Sequence, residues 1–565
     1  MFLRFLPLIF LKQNRINKID KRYRRMKNKA KNRIIQITLI VGLLLIWELV
    51  IRLNGETLIP TPSKSFIALY DLLLNGILMP DLAASLGRVL VGFSIALAIG
   101  LLLGFLLGLL PVFQNAIMGV FELIRPIPPI AWIPIAVSLL GIGNPSAWFV
   151  IFIGAFFPIL TNTLLGVSNV EKVHLEAAKV LGASKFRSFT GVVLPSTLPS
   201  IFAGIRVGLG FAWMCVVAAE MFAARSGLGY AIQLNRQLFR LDRVIAYMIV
   251  IAIVGFLMAR LISLLEKICV PWRRNYIAKD YYENTANLNK VQPNVYKEKL
   301  LKRTNEAKVE LIDWQPVSGV SIVAKDVRFH YENSAELVLD GTNLNVKPGE
   351  IFCILGLSGC GKSTFLRLLA GLEKRYSGEI WVDADKLNGH REDATMVFQD
   401  FSLFPWRKVE GNVQFAIEQR ADDATEHKTE VAQMLQMVGL EHKSNEYPYL
   451  LSGGQMQRVA FARALASKPR LMLLDEPLSA LDVYTREILQ EEISDIFRRT
   501  GITVIMVTHD ISEAIFMADR VAVMTHGGHL ASEYTISAPR PRCRKFRTSE
   551  EFRKLSDVLW KQINS

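Results

Sequence analysis

The chain has 565 residues, 51% of them hydrophobic, and its Lys and Arg exceed its Asp and Glu by 66 − 51 = 15. Residues 1–33 hold twelve basic side chains and one acid, Asp20, so +11 of that excess sits there. Strongly apolar sequence follows to about residue 272, then an ordinary charged composition, which excludes a wholly soluble enzyme and a disordered chain. Five scattered cysteines at no metal-ligand spacing exclude a disulfide scaffold.

Clustered basic residues suit nucleic acid, because phosphate neutralisation is blind to sequence. Here the basic run 12–33 leads directly into 34–51, an apolar stretch broken only by Glu48. Basic residues beside a first membrane span stay on the cytoplasmic side, where they meet anionic lipid. Membrane orientation, with no nucleic-acid partner, is therefore the reading. The apolar stretch 2–11 lies before most of the charge, the reverse of a secretory signal.

A spanning helix needs about 20 mostly apolar residues. Residues 89–121 and 126–170 contain no charged side chain, and each is too long for one helix. Pro111 divides the first, while Pro126, Pro128, Pro129, Pro134 and a Gly-Ile-Gly-Asn-Pro turn at 141–145 divide the second. The pattern predicts spans near 34–51, 87–110, 117–140, 146–166, 198–222 and 244–265. The third should be short or broken, since Arg125 and four prolines fall inside it. Six spans from a cytoplasmic N-terminus put loop 167–197 and everything after 266 in the cytoplasm. Four Lys/Arg against two acids in that loop agree, as do Trp272, Arg273 and Arg274, whereas Arg225, Arg236, Arg240 and Arg243 fall on the outer side against the rule. Buried charges within spans are costly and often functional; Glu48, Arg125, Arg206, Glu220 and Arg260 are the candidates. Arg206 and Glu220 are about 21 Å apart along one helix, too far for one solute to touch both.

The expected organisation is a basic N-terminus (1–33), an all-α polytopic membrane domain of six spans (34–272), a polar linker (273–318), an α/β domain (319–540) and a tail (541–565), basic and then helical from Glu550. In the α/β domain, β-branched runs at 321–329, 351–355, 395–398, 471–474, 503–507 and 520–524 alternate with helical stretches, as buried parallel strands do.

The strongest local signal is Gly356-Leu357-Ser358-Gly359-Cys360-Gly361-Lys362-Ser363-Thr364, between a strand and a helical pattern. Such glycines let successive N–H groups point at phosphate, and the helix N-terminus adds its field. Lys362 would reach the outer phosphates of ATP and Ser363 would give its hydroxyl to Mg²⁺. Four apolar residues then deliver Asp475, a second Mg²⁺ group, to a strand's carboxyl end, with Glu476 one residue on as a base for the attacking water. Ser452-Gly453-Gly454-Gln455 before a helix makes another phosphate cradle. One ATP has room for one loop, so this cradle would serve a nucleotide held by a second copy of the chain.

The whole set, with Gln399 and His509, resembles the P-loop ATPases of ATP-binding-cassette transporters in order and spacing. The resemblance implies roles residue by residue. Tyr331 would stack on adenine and Gln399 would sense Mg²⁺ and water. Ser452, Gly453 and Gly454 would reach the other subunit's γ-phosphate. Glu476 would be the catalytic base, Asp482 would link the two sites, and His509 would be the switch histidine on the γ-phosphate.

In the loop between the fourth and fifth spans, Glu176, Ala177 and Ala178, then Gly182 and a Leu-Pro at 194–195, read as a short exposed helix able to dock closely. The pattern resembles the coupling loop of type I bacterial importer permeases, which would sit beside the Gln399 region. Stretches at 60–63, 125–129, 219–221, 226–230, 403–406 and 539–542 are similar to the nitrate/sulfonate/taurine group, in which permease and ATPase usually occupy separate chains. The resemblance implies a bacterial inner-membrane homodimer, an external solute-binding protein and a small anion as solute. The alternatives are a half-exporter, which lacks this coupling pattern, and an importer of an uncharged organic solute.

Overall fold

The computed structural model describes residues 31, 34–54, 59–273, 317–332, 336–420, 427–479, 481, 483–540 and 542–563. Nearly all of the basic stretch and of the linker lies outside them. The chain divides into two compact units, Met1–Leu164 with Ile201–Leu265, and Leu165–Ser200 with Glu266–Ser565.

The first unit is helical. Among the described residues five helices are long and apolar enough to cross a membrane: Ile34–Leu53, Leu78–Leu109, Asn144–Ser168, Lys185–Ala223 and Leu241–Cys269. The expected third span is a bent pair, Val112–Ile124 and Pro129–Leu140, turning by 85°. Three prolines at the bend cannot donate to a continuous helical ladder, which accounts for the break. A helix that the hydropathy pattern did not predict, Pro62–Leu74, opens with the Thr61 hydroxyl as its cap. Its Ser63 donates from both backbone and hydroxyl to Glu48 of the first span, which Arg52 of the same helix also pairs with.

Helices pack closely here because glycines face their neighbours. A Cβ on Gly92 or Gly104 would lie 2.8 Å from Ile151 or 2.7 Å from Thr163, and one on Gly154 would lie 2.5 Å from the Cys215 sulfur. Such small-residue contacts are how helices associate where burial from water drives nothing. The unit's buried polar centre is Glu220, fully enclosed. Its carboxylate accepts from the Ser85 hydroxyl at 2.8 Å, from Arg88 at 2.6 Å and from the Gly229 N–H at 2.9 Å. Arg88 also donates to Asn144 and to the carbonyl and hydroxyl of Ser226. Arg125 sits at the bend, exposed, and Arg260 lies over the Phe256 ring.

The second unit holds two sheets. An antiparallel one has the order β2-β1-β4-β5, with β1 Ile322–Phe329, β2 Leu339–Val346, β4 Ser377–Val382 and β5 Asp385–Lys386. The other has the order β10-β9-β3-β8-β7-β6: β3 Ile351–Leu355, β6 Ala394–Val397, β7 Leu471–Asp475, β8 Thr503–Thr508, β9 Arg520–Met524 and β10 Leu530–Thr535. All neighbours in it are parallel except β9 and β10. Strands β3, β7 and β8 are buried at every position, as expected for a sheet covered on both faces. Residues 165–200, which take in the end of Asn144–Ser168, the connection after it and the start of Lys185–Ala223, belong to this unit.

Candidate functional site

Parallel strands aim their carboxyl ends at one edge, where open α/β sheets bind ligands. Leu355 pairs with Thr508, Val507 with Asp475, and Leu474 with Val397. The residues that follow these strands therefore meet along that edge in the order phosphate loop, His509, Asp475 with Glu476, and Gln399.

The phosphate loop turns through Gly359 (φ +87°) and Gly361 (φ +106°). A Cβ on Gly361 would lie 2.9 Å from Leu339 and 3.0 Å from the Val338 carbonyl, so the turn excludes larger residues. The helix Lys362–Leu369 begins here. The Lys362 ammonium folds back onto the carbonyls of Gly356 and Leu357 at 2.9 and 2.7 Å. Beside it, the Ser363 hydroxyl donates to Asp475 Oδ1 at 2.7 Å. Burial raises the Asp475 pKa, against the pull of the Ser363 hydrogen bond. A hydroxyl and a carboxylate at contact are an all-oxygen donor pair of the kind Mg²⁺ prefers. Tyr331 is half exposed, with its hydroxyl 3.0 Å from the Thr364 hydroxyl.

Glu476 adopts φ +43°, a left-handed backbone rare for a residue with a side chain. Such geometry costs about 1–3 kcal/mol and needs its surroundings to hold it; the Glu476 N–H donates to the Val507 carbonyl at 3.0 Å. The carboxylate is reached from two sides, by Gln399 Nε2 at 3.2 Å and by His509 Nδ1 at 3.1 Å. With Nδ1–H donating to Glu476, the other ring nitrogen of His509 is left to face a ligand. Ser452 caps the helix Gly453–Ala466 in a reciprocal box with Gln455, placing Gly453 and Gly454 in its half-buried first turn. Asp482 lies outside the described residues.

The predicted coupling residues form the helix Lys172–Val180, followed by Gly182 at φ +83°. The exposed helix of the sequence reading is instead half covered, because His174, Ala177, Ala178 and Val180 are buried, the last three within the core of the second unit. Glu176 is gripped by both Arg367 guanidinium nitrogens at 2.8 and 2.5 Å. Lys179 donates to the carbonyls of Gly371 and Leu372. His174 rests on Phe404 and Trp406, and burial lowers its pKa. Trp406 also donates to the Gly191 carbonyl at 2.9 Å.

Several of these partners escaped the sequence reading. Arg463, on the helix that Ser452 caps, is buried and donates to the carbonyls of Ser402 and Phe401 at 2.6 and 3.0 Å. Both residues have positive φ, so Arg463 holds a strained turn between Gln399 and Trp406, and burial lowers its pKa to about 10. Behind His509, Thr508 donates to the buried Glu513, and Arg486 bridges the Leu481 carbonyl and Asp510. A lone Arg on an amphipathic helix gives no sequence sign of partners such as Ser402 and Phe401, 61 and 62 residues away from Arg463.

Comparison with known proteins agrees on both halves. Residues 96–274 match the family of binding-protein-dependent transport system inner membrane components, and residues 339–479 match the ABC transporter family. The aliphatic sulfonates import ATP-binding protein SsuB of Albidiferax ferrireducens is 43% identical over 224 residues, covering 40% of this chain and 77% of the relative. SsuB of Pseudomonas putida is 45% identical over 207 residues, 37% of this chain and 74% of the relative. The nitrate import ATP-binding protein NrtD of a Synechocystis species is 42% identical over 230 residues, 40% and 86%. With the phosphate loop, the Glu476 cluster and the apolar helices in one polypeptide, the chain belongs to the ATP-binding cassette transporters, as a multi-pass importer that fuses the permease to the ATP-hydrolysing subunit.

Proposed function

We propose that two copies of this chain, with an external solute-binding protein, import a small anion at the cost of ATP, with an organosulfonate ahead of nitrate or bicarbonate. The reading of the hydrolytic site rests on one observation: Glu476 carries a hydrogen-bond partner on each oxygen and stands next to the Ser363–Asp475 pair. In that reading Glu476 takes a proton from the attacking water, oriented by Gln399 and His509. Lys362 and the loop N–H groups hold the phosphates, Tyr331 stacks on the base, and Ser363 and Asp475 hold Mg²⁺, which supplies charge neutralisation on the phosphates. Ser452, Gly453 and Gly454 complete the partner's site, with Asp482 between the two. Closure of the cassettes then moves the helix Lys172–Val180, and with it the permease.

This reading places the N-terminus and the ATPase in the cytoplasm of a bacterial inner membrane, with domains bounded as the sequence suggests. The anion rests on the names of the relatives, which are sulfonate and nitrate import ATPases. A binding screen on the cognate solute-binding protein, by calorimetry across sulfonates, nitrate, bicarbonate and uncharged solutes, tests it. Tight binding of an uncharged solute with no response to any anion would overturn the assignment of solute. The dimer is tested separately: Ser358→Cys and Ser452→Cys, in a chain without its native cysteines, should crosslink between chains and not within one.

A further inference from the structure

Among the described residues the segment after β10 adds no strand to either sheet, yet four of its arginines, Arg540, Arg542, Arg544 and Arg547, reach helices or a turn packed around the parallel sheet. Arg542, almost wholly buried, donates through one guanidinium nitrogen to the carbonyls of Ile515, Phe516 and Ala518 at 3.2, 3.0 and 2.6 Å. Those carbonyls end the helix Ile511–Met517, which Asp510 caps at its start, one residue after His509. The last carbonyls of a helix have no partner within it, and a cation there satisfies them and meets the negative end of the helix. Arg547 lies over the Phe516 ring, 4.1 Å from its centroid, and donates to Gln490. Gln490 is buried on the helix Val483–Thr500, and Arg544 pairs with Glu487 of that helix at 3.4 Å. Arg540 pairs with Asp519 at 2.8 Å.

The two helices held in this way are already joined at their nucleotide ends. Arg486, in the first turn of Val483–Thr500, donates to the Leu481 carbonyl at 3.0 Å and pairs with Asp510 at 2.8 Å. The helix Ile511–Met517 is about 10 Å long and buried from Glu513 to Met517. It can therefore transmit a shift at its C-terminus to its N-terminus without bending. The arginines fix one end of a short rigid rod whose other end carries His509. The helix Glu550–Ile563 locks the segment down by burying Phe552 and Leu559, with Phe546 edge-on to Phe552.

We propose that the C-terminal segment 540–563 is a positioning clamp for the switch histidine, with Arg542 and Arg547 setting where His509 stands against Glu476. Neither arginine touches nucleotide; they act through the helix Ile511–Met517. The inference rests on the role given above to His509, and the experiment separates the two.

ATP hydrolysis and thermal midpoint are measured on the full chain in lipid nanodiscs for His509→Ala, Arg542→Gln, Arg542→Lys, Arg547→Gln and the double variant His509→Ala/Arg542→Gln. Arg542→Gln should lower kcat about tenfold with KM for ATP changed less than about twofold, because the loss lies in the reacting geometry and not in binding. Arg542→Lys, which still presents N–H donors to the three carbonyls, should recover most of it. In the His509→Ala background, Arg542→Gln should cost less than about twofold more, since two residues acting through one contact are not additive. Equal losses in both backgrounds, or an unchanged kcat, would overturn the clamp. An unchanged kcat in His509→Ala alone would overturn the site reading instead. Should Arg542→Gln fail to fold, Arg547→Gln in the same two backgrounds decides, with about a threefold loss expected only where His509 is present.

Discussion

Arg367, on the helix that leaves the phosphate loop, holds both carboxylate oxygens of Glu176, 191 residues away in sequence. The grip ties the helix Lys172–Val180 to the element that starts at Lys362. Forked, charge-assisted contacts of this kind are each worth about 1.5–3 kcal/mol, and the pair is about three-quarters shielded from solvent. Arg367→Ala should lower solute uptake by about tenfold or more, while ATP binding persists because Lys362 and the loop glycines are untouched. The exchanged pair Glu176→Arg/Arg367→Glu should regain part of the uptake. Proteoliposome transport beside nucleotide binding checks it, and equal loss of both would remove the coupling role.

Glu476→Gln keeps the shape of the side chain and a hydrogen bond, and removes the basic carboxylate. The expected result is a fall in phosphate release of about 10²–10⁴-fold, with ATP retained in closed cassettes. Lys362→Ala should instead weaken ATP binding itself. Near-normal turnover in the Glu476 variant would end its assignment as the base.

Gly227 lies so close to Glu220 that a Cβ there would stand 2.3 Å from Oε1, and its φ is +106°. Gly227→Ala should therefore lower the thermal midpoint of the purified chain. In the same cluster, Arg88→Met leaves an unpaired buried carboxylate and should cost about 3–5 kcal/mol. The apolar double variant Arg88→Met/Glu220→Leu should cost less than the single one. Thermal unfolding of the three variants in detergent gives the order directly, and a double variant worse than the single would mean that the pair does not act as an ion pair.

Burial lifts the Glu513 carboxyl to about 7, although the Thr508 hydroxyl bond pulls it down. The folded chain then binds this proton more tightly than the unfolded chain, whose value is near 4.5. The stability tied to the proton is full below about pH 4.5 and is lost as pH rises through about 7. Glu513→Gln, which stays neutral, should match wild type at pH 4.5 and exceed it by about 3 kcal/mol at pH 8. Chemical unfolding of both proteins across that range is the check, and parallel pH curves would show that Glu513 does not titrate near neutrality.

The strands of the parallel sheet were legible because both faces are covered, leaving unbroken apolar runs such as 351–355 and 503–507. Of the antiparallel sheet only the run 321–329 stands out, and the structure corrects its reading as a parallel strand: it is β1, pairing antiparallel with β2 and β4. In β2 the sequence Leu-Asp-Gly-Thr-Asn-Leu-Asn-Val carries residues that disfavour strands, and pairing with β1 makes it one. At the irregular step of β1, Asp326 takes φ +48° and its N–H reaches the Asn343 side chain, a contact between distant residues that no local pattern records. That the loop 356–364, Glu476 and His509 lie at one edge could be read in advance, because each directly follows a buried strand of the parallel sheet. Arg88, Arg367, Arg463 and Arg542 could not, since each is defined by a carboxylate or carbonyl elsewhere in the chain. Glu220 was recognised as a buried charge, and only the structure supplies Arg88 as its partner.

That residues 165–200 pack as part of the ATPase unit, although they include the ends of two long apolar helices, bears on how such transporters can be recombined. A chimera cut at the linker would carry a foreign Glu176 to Arg367, and a foreign His174 and Gly191 to Trp406. One that also exchanges 165–200 would move lock and key together. Breakpoints near Leu164 and Ile201, with a third in the linker, are where parts of this chain should be interchangeable with those of a relative.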